Sequence, residues 1–221
     1  MVTSDSHLLK IGGYCGVCFA IIWIICGTGY LIVFGIPSSV PSLLETARVM
    51  SQPSFKILFW IWPVAYLAVI PFALAVRIYL KDTAPIIALI GTAFLLLYAC
   101  IWFVWHGSMM ASTALASQES FPENEFAAML TLVGTLGSPL FWSITISLGS
   151  WSIPLLKRIG MDRISGIAFM LGSFSSLAYF IMRYTGPFRT AEIVHELLIL
   201  FMIIGVGSLG LSMIKASKKP K

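Results

Sequence analysis

The sequence predicts an all-α fold: a polytopic bundle of six transmembrane helices, N-in and C-in, with a short interfacial helix in the first outer loop. Three observations carry that expectation. The 221 residues are 58% hydrophobic and only 10% charged, with a mean hydropathy of +0.94; soluble domains run about 45–50% apolar and about 25% charged. A helix needs roughly 20 apolar residues to cross the hydrocarbon core, and charge-free runs of that kind occur six times. No series of segments alternates apolar and polar at period two, which disfavours a β-barrel. The same composition excludes a disordered chain. It also excludes a nucleic-acid binder, because the pI of about 9.1 rests on a few bases that topology sorts. The whole chain, 1–221, reads as a single membrane domain.

The first span, 11–35, is preceded by a short segment whose one base is Lys10. Its apolar stretch exceeds the roughly 7–15 residues of a signal-peptide core, so it is expected to stay as a signal anchor, and neither end carries a lipidation motif. Gly12-xxx-Gly16 points to close helix packing. Cys15 and Cys18 form a CxxC with no second pair, and Cys26 and Cys100 stand alone. Inside an apolar helix such thiols read as small packing residues before they read as a redox or zinc motif.

The first outer loop, 36–56, contains Ser42 with Glu45 three residues on, a capping box. Leu43, Leu44, Ala47 and Met50 then share one face, which predicts a short helix on the outer membrane surface, stopped before Pro53. The second span, 57–78, carries Pro63 and Pro71. Trp60 and Trp62 open it and Trp102 and Trp105 close the third span, 85–106, at the depth where an indole finds water for its N–H. Asp82 or Thr83 is the expected cap before Pro85.

The second outer loop, 107–125, has Glu119, Glu123 and Glu125 and no base. Ser120 and Glu123 suggest a second capping box ahead of the fourth span, 122–150. The charge-free run 126–156 exceeds one crossing, so tilt or an exit near Gly149-Ser150 is expected. Gly137-Ser138-Pro139 interrupts it, and broken helices can line binding sites. Thr131, Gly134, Thr135, Ser138, Ser143, Thr145 and Ser147 keep the helix thin. Gly172, Ser173 and Ser176 do so in the fifth span, 164–183, and Gly205, Gly207 and Gly210 in the sixth, 191–214. Small residues let backbones approach, within the bundle or towards a membrane partner or second copy, and a polar lining is the functional alternative. The inner turns, 77–84 and 156–163, read as plain connectors, and the tail KASKKPK as a solvated basic end.

Orientation follows from the bases. Lys10, Arg77, Lys81, Lys157, Arg158, Arg163, Lys215, Lys218, Lys219 and Lys221 fall on one side with three Asp, a net of +7. Arg48, Lys56, Arg183 and Arg189 fall on the other with all six Glu, a net of −2. The basic side, with both termini, is therefore expected in the cytoplasm. No charge lies at mid-bilayer, which turns the reading away from a proton-driven pump.

Glu192, His195 and Glu196 share a helical face at i, i+3 and i+4 near the outer surface. With His106 at the outer end of the third span they are the candidate metal or proton-handling set, since imidazole and carboxylate bind divalent ions and His titrates near neutrality. Arg189 is close enough in sequence to pair with Glu192. Two His at one face permit a single haem site but no transmembrane haem relay. No hydrolase elbow, metalloprotease motif, phosphate loop or Rossmann glycine pattern occurs, so no catalytic set or cofactor is assigned.

The basic entry LLKIGGYCGV, the loop with its surface helix and the inner turn PLLKRIGMDRISGIAFMLG together resemble a bacterial family of six-helix membrane proteins defined only as a domain of unknown function. The resemblance implies a multi-pass protein of the bacterial plasma membrane and transfers no functional residue. The expected function is to bind or move a small or lipid-like molecule, or to act as a membrane subunit; the alternative is a membrane enzyme or metal protein using the outer His/Glu group.

Overall fold

The structure is a computed structural model and describes residues 2–34 and 41–218. Residues 35–40 of the first outer loop, and Lys219 and Lys221 of the basic tail, lie outside the described residues. The rest forms α1 (Val2–Phe34), α2 (Leu43–Met50), α3 (Pro53–Leu80), α4 (Pro85–Leu115), α5 (Glu123–Leu156), α6 (Met161–Thr185) and α7 (Phe188–Ser217), with no strand among the described residues. All but α2 are long and apolar enough to span a membrane. Helices suit such sequences because lipid offers no partner to a backbone N–H or C=O, so each must be satisfied within its own segment. The chain is an all-α, multi-pass integral membrane protein of six spans.

The spans pack as a closed ring in chain order. α1 lies on α3, α3 on α4, α4 on α5, α5 on α6, α6 on α7, and α7 returns to α1. The outer wall is apolar: Ile24, Ile25, Ile57, Val64, Leu67 and Phe174 are exposed, a surface suited to lipid tails.

Small residues make the seams. A Cβ built on Gly13 would sit 2.7 Å from the Gly210 carbonyl oxygen, and one on Gly210 would sit 2.7 Å from that of Gly13. A Cβ on Gly12 would collide with Ala75, and one on Gly16 with the Phe72 ring. The Gly12-xxx-Gly16 spacing thus lets α1 approach α3, as expected. Hydroxyls bridge other seams, α5–α6, α4–α5 and α3–α4. Thr145 donates to Ser176 Oγ (2.8 Å), Ser173 to the Thr145 carbonyl (2.9 Å), Ser147 to the Gly91 carbonyl (2.9 Å) and Thr92 to the Ala73 carbonyl (3.2 Å). All four cysteines are free thiols.

Capping creates α2. Ser42 Oγ accepts the Glu45 N–H (3.2 Å) while Glu45 Oε2 accepts the Ser42 N–H (2.7 Å), the reciprocal box the sequence predicts. Its Ala47 and Met50 are buried against Phe55, Phe59 and Phe126, whereas Leu44, expected on that face, is exposed.

Several local expectations are corrected. The helix containing His106 runs on to Leu115, so His106 lies well inside α4 and not at its end. Glu123 is the first residue of α5 and Pro122 the N-cap with no side-chain hydrogen bond, so Ser120 and Glu123 form no capping box. Ala84 takes the N-cap position of α4, again without a side-chain cap, and neither Asp82 nor Thr83 fills that role. α5 passes Gly149-Ser150 and continues to Leu156. Gly149 is a contact point there, a Cβ on it falling 3.1 Å from Ser173 Oγ. Pro63, Pro71 and Pro139 lie within continuous helices.

The α3–α4 and α5–α6 turns, on the side of the termini, are more than the plain connectors expected. Gly160, at φ +66°, makes the left-handed bend before α6, and so brings Asp162 back to Arg158 (3.1 Å). Tyr79 donates its hydroxyl to the same carboxylate (2.8 Å). The Arg158 guanidinium lies over the Tyr79 ring (4.6 Å) and donates to the Tyr79 carbonyl and to Thr83 Oγ1. This clamp fastens the α3–α4 turn to the α5–α6 turn. On the same face Lys81 pairs with Asp5 of α1 (2.6 Å).

Candidate functional site

Three helices present aromatic or small residues at one repeated spacing. On α3 these are Phe55, Phe59, Trp62 and Tyr66; on α4, Tyr98, Trp102, Trp105 and Met109; on α1, Trp23, Gly27 and Tyr30. Steps of four, three and four keep each set on a single helical face. All three faces turn inward and line a partly enclosed cavity of about 280 Å³. Gly137, Leu140 and Phe141 of α5, Tyr179 and Arg183 of α6, and Glu192, His195 and Glu196 of α7 complete the wall, so every span contributes.

The cavity begins on the face opposite the termini, near Phe55, and reaches Tyr66. That is eleven residues along α3, about 16 Å, or roughly half of a hydrocarbon core of about 30 Å. Its floor is the buried Tyr66–Tyr98 pair, with hydroxyls 3.0 Å apart. Trp102 stacks on Tyr66 with centroids 3.5 Å apart. Beyond the floor Phe72, Leu148 and Trp151 leave a void of only about 10 Å³. The cavity is a blind vestibule, stopped at mid-span by packed rings.

Its two walls differ in chemistry. The α1, α3 and α4 wall is aromatic, Trp23 lying 5.6 Å from Trp62 and Phe59 5.1 Å from Trp62. The indoles expected at the outer interface therefore divide: Trp60 is exposed, while Trp62, Trp102 and Trp105 face the cavity. The α6 and α7 wall is ionisable. Glu192, His195 and Glu196 project from one face, as expected, and share the wall with Arg183. His195 rests against Tyr179 (5.0 Å) and Phe141 (5.9 Å). Arg183 donates weakly to the Tyr179 hydroxyl (3.5 Å). Gly137 makes room for it, since a Cβ there would meet only Arg183 Nη1, at 3.4 Å. Neither Glu192 nor Glu196 forms an ion pair with a described residue; Arg189, the expected partner of Glu192, is exposed and forms none.

His106 stands apart from this group. Its ring is sandwiched between Phe59 and Trp102, 4.7 Å from each, and buried to 6% exposure with Nδ1 lacking a partner. It backs the aromatic wall and is not among the lining residues. Among the described residues no three His, Cys, Asp or Glu side chains come together as a metal-holding group.

The residues that sequence reasoning passed over are the aromatic ones and Arg183. The signal for the former was present as the repeated spacing on α1, α3 and α4. For Arg183 there was none, because only the fold of α6 against α5 brings this exposed side chain to the edge of the cavity. Compared with protein-family models, curated proteins and solved structures, the chain matches none.

Proposed function

We propose that this protein binds, and through rearrangement of its aromatic floor moves, a small or lipid-like molecule held in the vestibule between the six spans. The observation that carries the reading is one cavity, about 280 Å³, with an aromatic wall and an ionisable one. Small-molecule sites are concave, largely apolar and furnished with a few convergent polar groups, at about 300–1,000 Å³; this one sits at the small end. For a subunit role, Gly12, Gly13, Gly16, Gly91, Gly205 and Gly210 are used up in seams inside the bundle, and the small face left open is Thr131, Gly134 and Thr135 of α5. From the charge sorting of +7 against −2 we further propose that the protein lies in a bacterial plasma membrane with its termini in the cytoplasm and its vestibule opening outward, allied with the six-helix family its layout resembles.

Structure determination in native-lipid discs tests the proposal. Density is expected in the vestibule between Tyr66 and Glu192. It is expected to vanish in the Gly27→Leu/Gly137→Leu variant, since a Cβ on Gly27 meets nothing within 4 Å and one on Gly137 meets only Arg183. An empty vestibule in the wild-type protein would overturn the reading.

A further inference from the structure

We infer that the occupant of the vestibule is a small organic cation with an apolar body, its charged head held between Glu192 and Glu196 and the Trp/Tyr faces. The inference rests on the cavity-binding reading and deepens it.

Three independent features point to positive charge. The first is the charge count of the lining. In ionised form Glu192 and Glu196 supply two negative charges and Arg183 one positive. One carboxylate is left without a countercharge in a site bounded by apolar helices, where an unpaired ion is costly. A bound monocation restores the balance; an anion worsens it.

The second is the aromatic wall. Trp23, Trp62, Tyr66, Trp102 and Trp105, from α1, α3 and α4, line the same cavity as the α7 carboxylates. Indole and phenol faces are electron-rich and attract ammonium groups and their N-methyls, which is how quaternary ammonium ligands are held in aromatic cages. The third is the approach. Outside the cavity, the face onto which the vestibule opens carries Glu45, Glu119, Glu123 and Glu125 against Arg48, Lys56 and Arg189, a net of −1 added to the −1 of the lining, and this excess of acid favours cations over anions at the mouth. The cavity volume suits a small amphiphile.

Three probes of nearly one shape distinguish the charge classes: 4-phenylbutylammonium, 4-phenylbutanol and 4-phenylbutyrate. Binding to the full chain in lipid nanodiscs is followed by calorimetry and by tryptophan fluorescence. The ammonium probe is expected to bind at least tenfold more tightly than the alcohol, about 1.4 kcal/mol, and the carboxylate probe more weakly than either. Glu192→Gln/Glu196→Gln, which keeps side-chain shape, is expected to erase the preference, and Arg183→Gln to strengthen ammonium binding. Equal affinity for the ammonium and the alcohol, or a preference that survives the double Gln variant, overturns the inference. If all three probes bind alike and Gly27→Leu/Gly137→Leu abolishes them, the cation assignment fails while cavity binding stands. If none binds, the cation assignment fails, and cavity binding then depends on whether the vestibule is occupied in native-lipid discs.

Discussion

At the scale of single residues, His106 and His195 are both imidazoles on the vestibule half of the bundle, yet their surroundings assign them different work. His195 shares its wall with Glu192, Glu196 and Arg183, a polar patch open to the cavity. His106 is a filler between two aromatic rings, its Nδ1 unpartnered. A buried nitrogen without a hydrogen bond costs about 1–3 kcal/mol, while the stacked ring contributes packing. His106→Phe is therefore expected to be neutral or to stabilise by about 1 kcal/mol. His106→Ala, which opens a hole between Phe59 and Trp102, is expected to cost about 2 kcal/mol or more. Thermal unfolding of the two variants in the same detergent checks this; equal losses would show that the imidazole makes a polar contact that matters. The sequence grouped His106 with Glu192 because both fall near the outer surface, and depth along a helix is legible from counting. Rotation about the helix axis is not, and that is what separates them.

At the scale of elements, α2 was the most legible part. The box at Ser42 and Glu45 is local, needing only four residues, so its chemistry can be read directly. It also has a pH signature. The backbone N–H and hydroxyl of Ser42 hold the Glu45 carboxyl below its usual range. A depressed folded value means that the box contributes fully above the unfolded value near 4.5 and loses that contribution as pH falls through the folded one. Amide-exchange protection of Leu43–Met50 is expected to drop at acid pH in the wild type. In Ser42→Ala it is expected to be low at every pH; protection in the wild type that stays constant from neutral to acid pH would refute the assignment. The stripes on α1, α3 and α4 were equally present in the sequence, but an apolar span has no polar back to contrast with, so a helical face of rings gives no moment to detect. The Ser120–Glu123 pair failed as a cap because a pattern of two residues does not fix where a helix starts, and Pro122 does.

At the scale of the whole molecule, six spans close into a ring whose interior is half vestibule and half tight core. The charge sorting of +7 against −2 predicts which side is which. A reporter fused after Lys221 is expected to read as cytoplasmic and one inserted at Gln118 as external. The opposite result would turn the vestibule to the cytoplasm and leave its geometry intact. What the sequence by itself determined is the number of spans and, with them, the fold class. Each crossing must satisfy its own backbone in lipid, so length and composition within one segment decide it. Only the tertiary structure decided that rings from three helices meet carboxylates from a fourth, that Arg183 comes to the edge of the cavity beside Gly137, and that Arg158 and Asp162 lock the α3–α4 and α5–α6 turns. These depend on how each helix is rotated and which neighbour it meets. In lipid that is settled by close packing of small residues across seams, and every such seam joins positions that are distant along the chain.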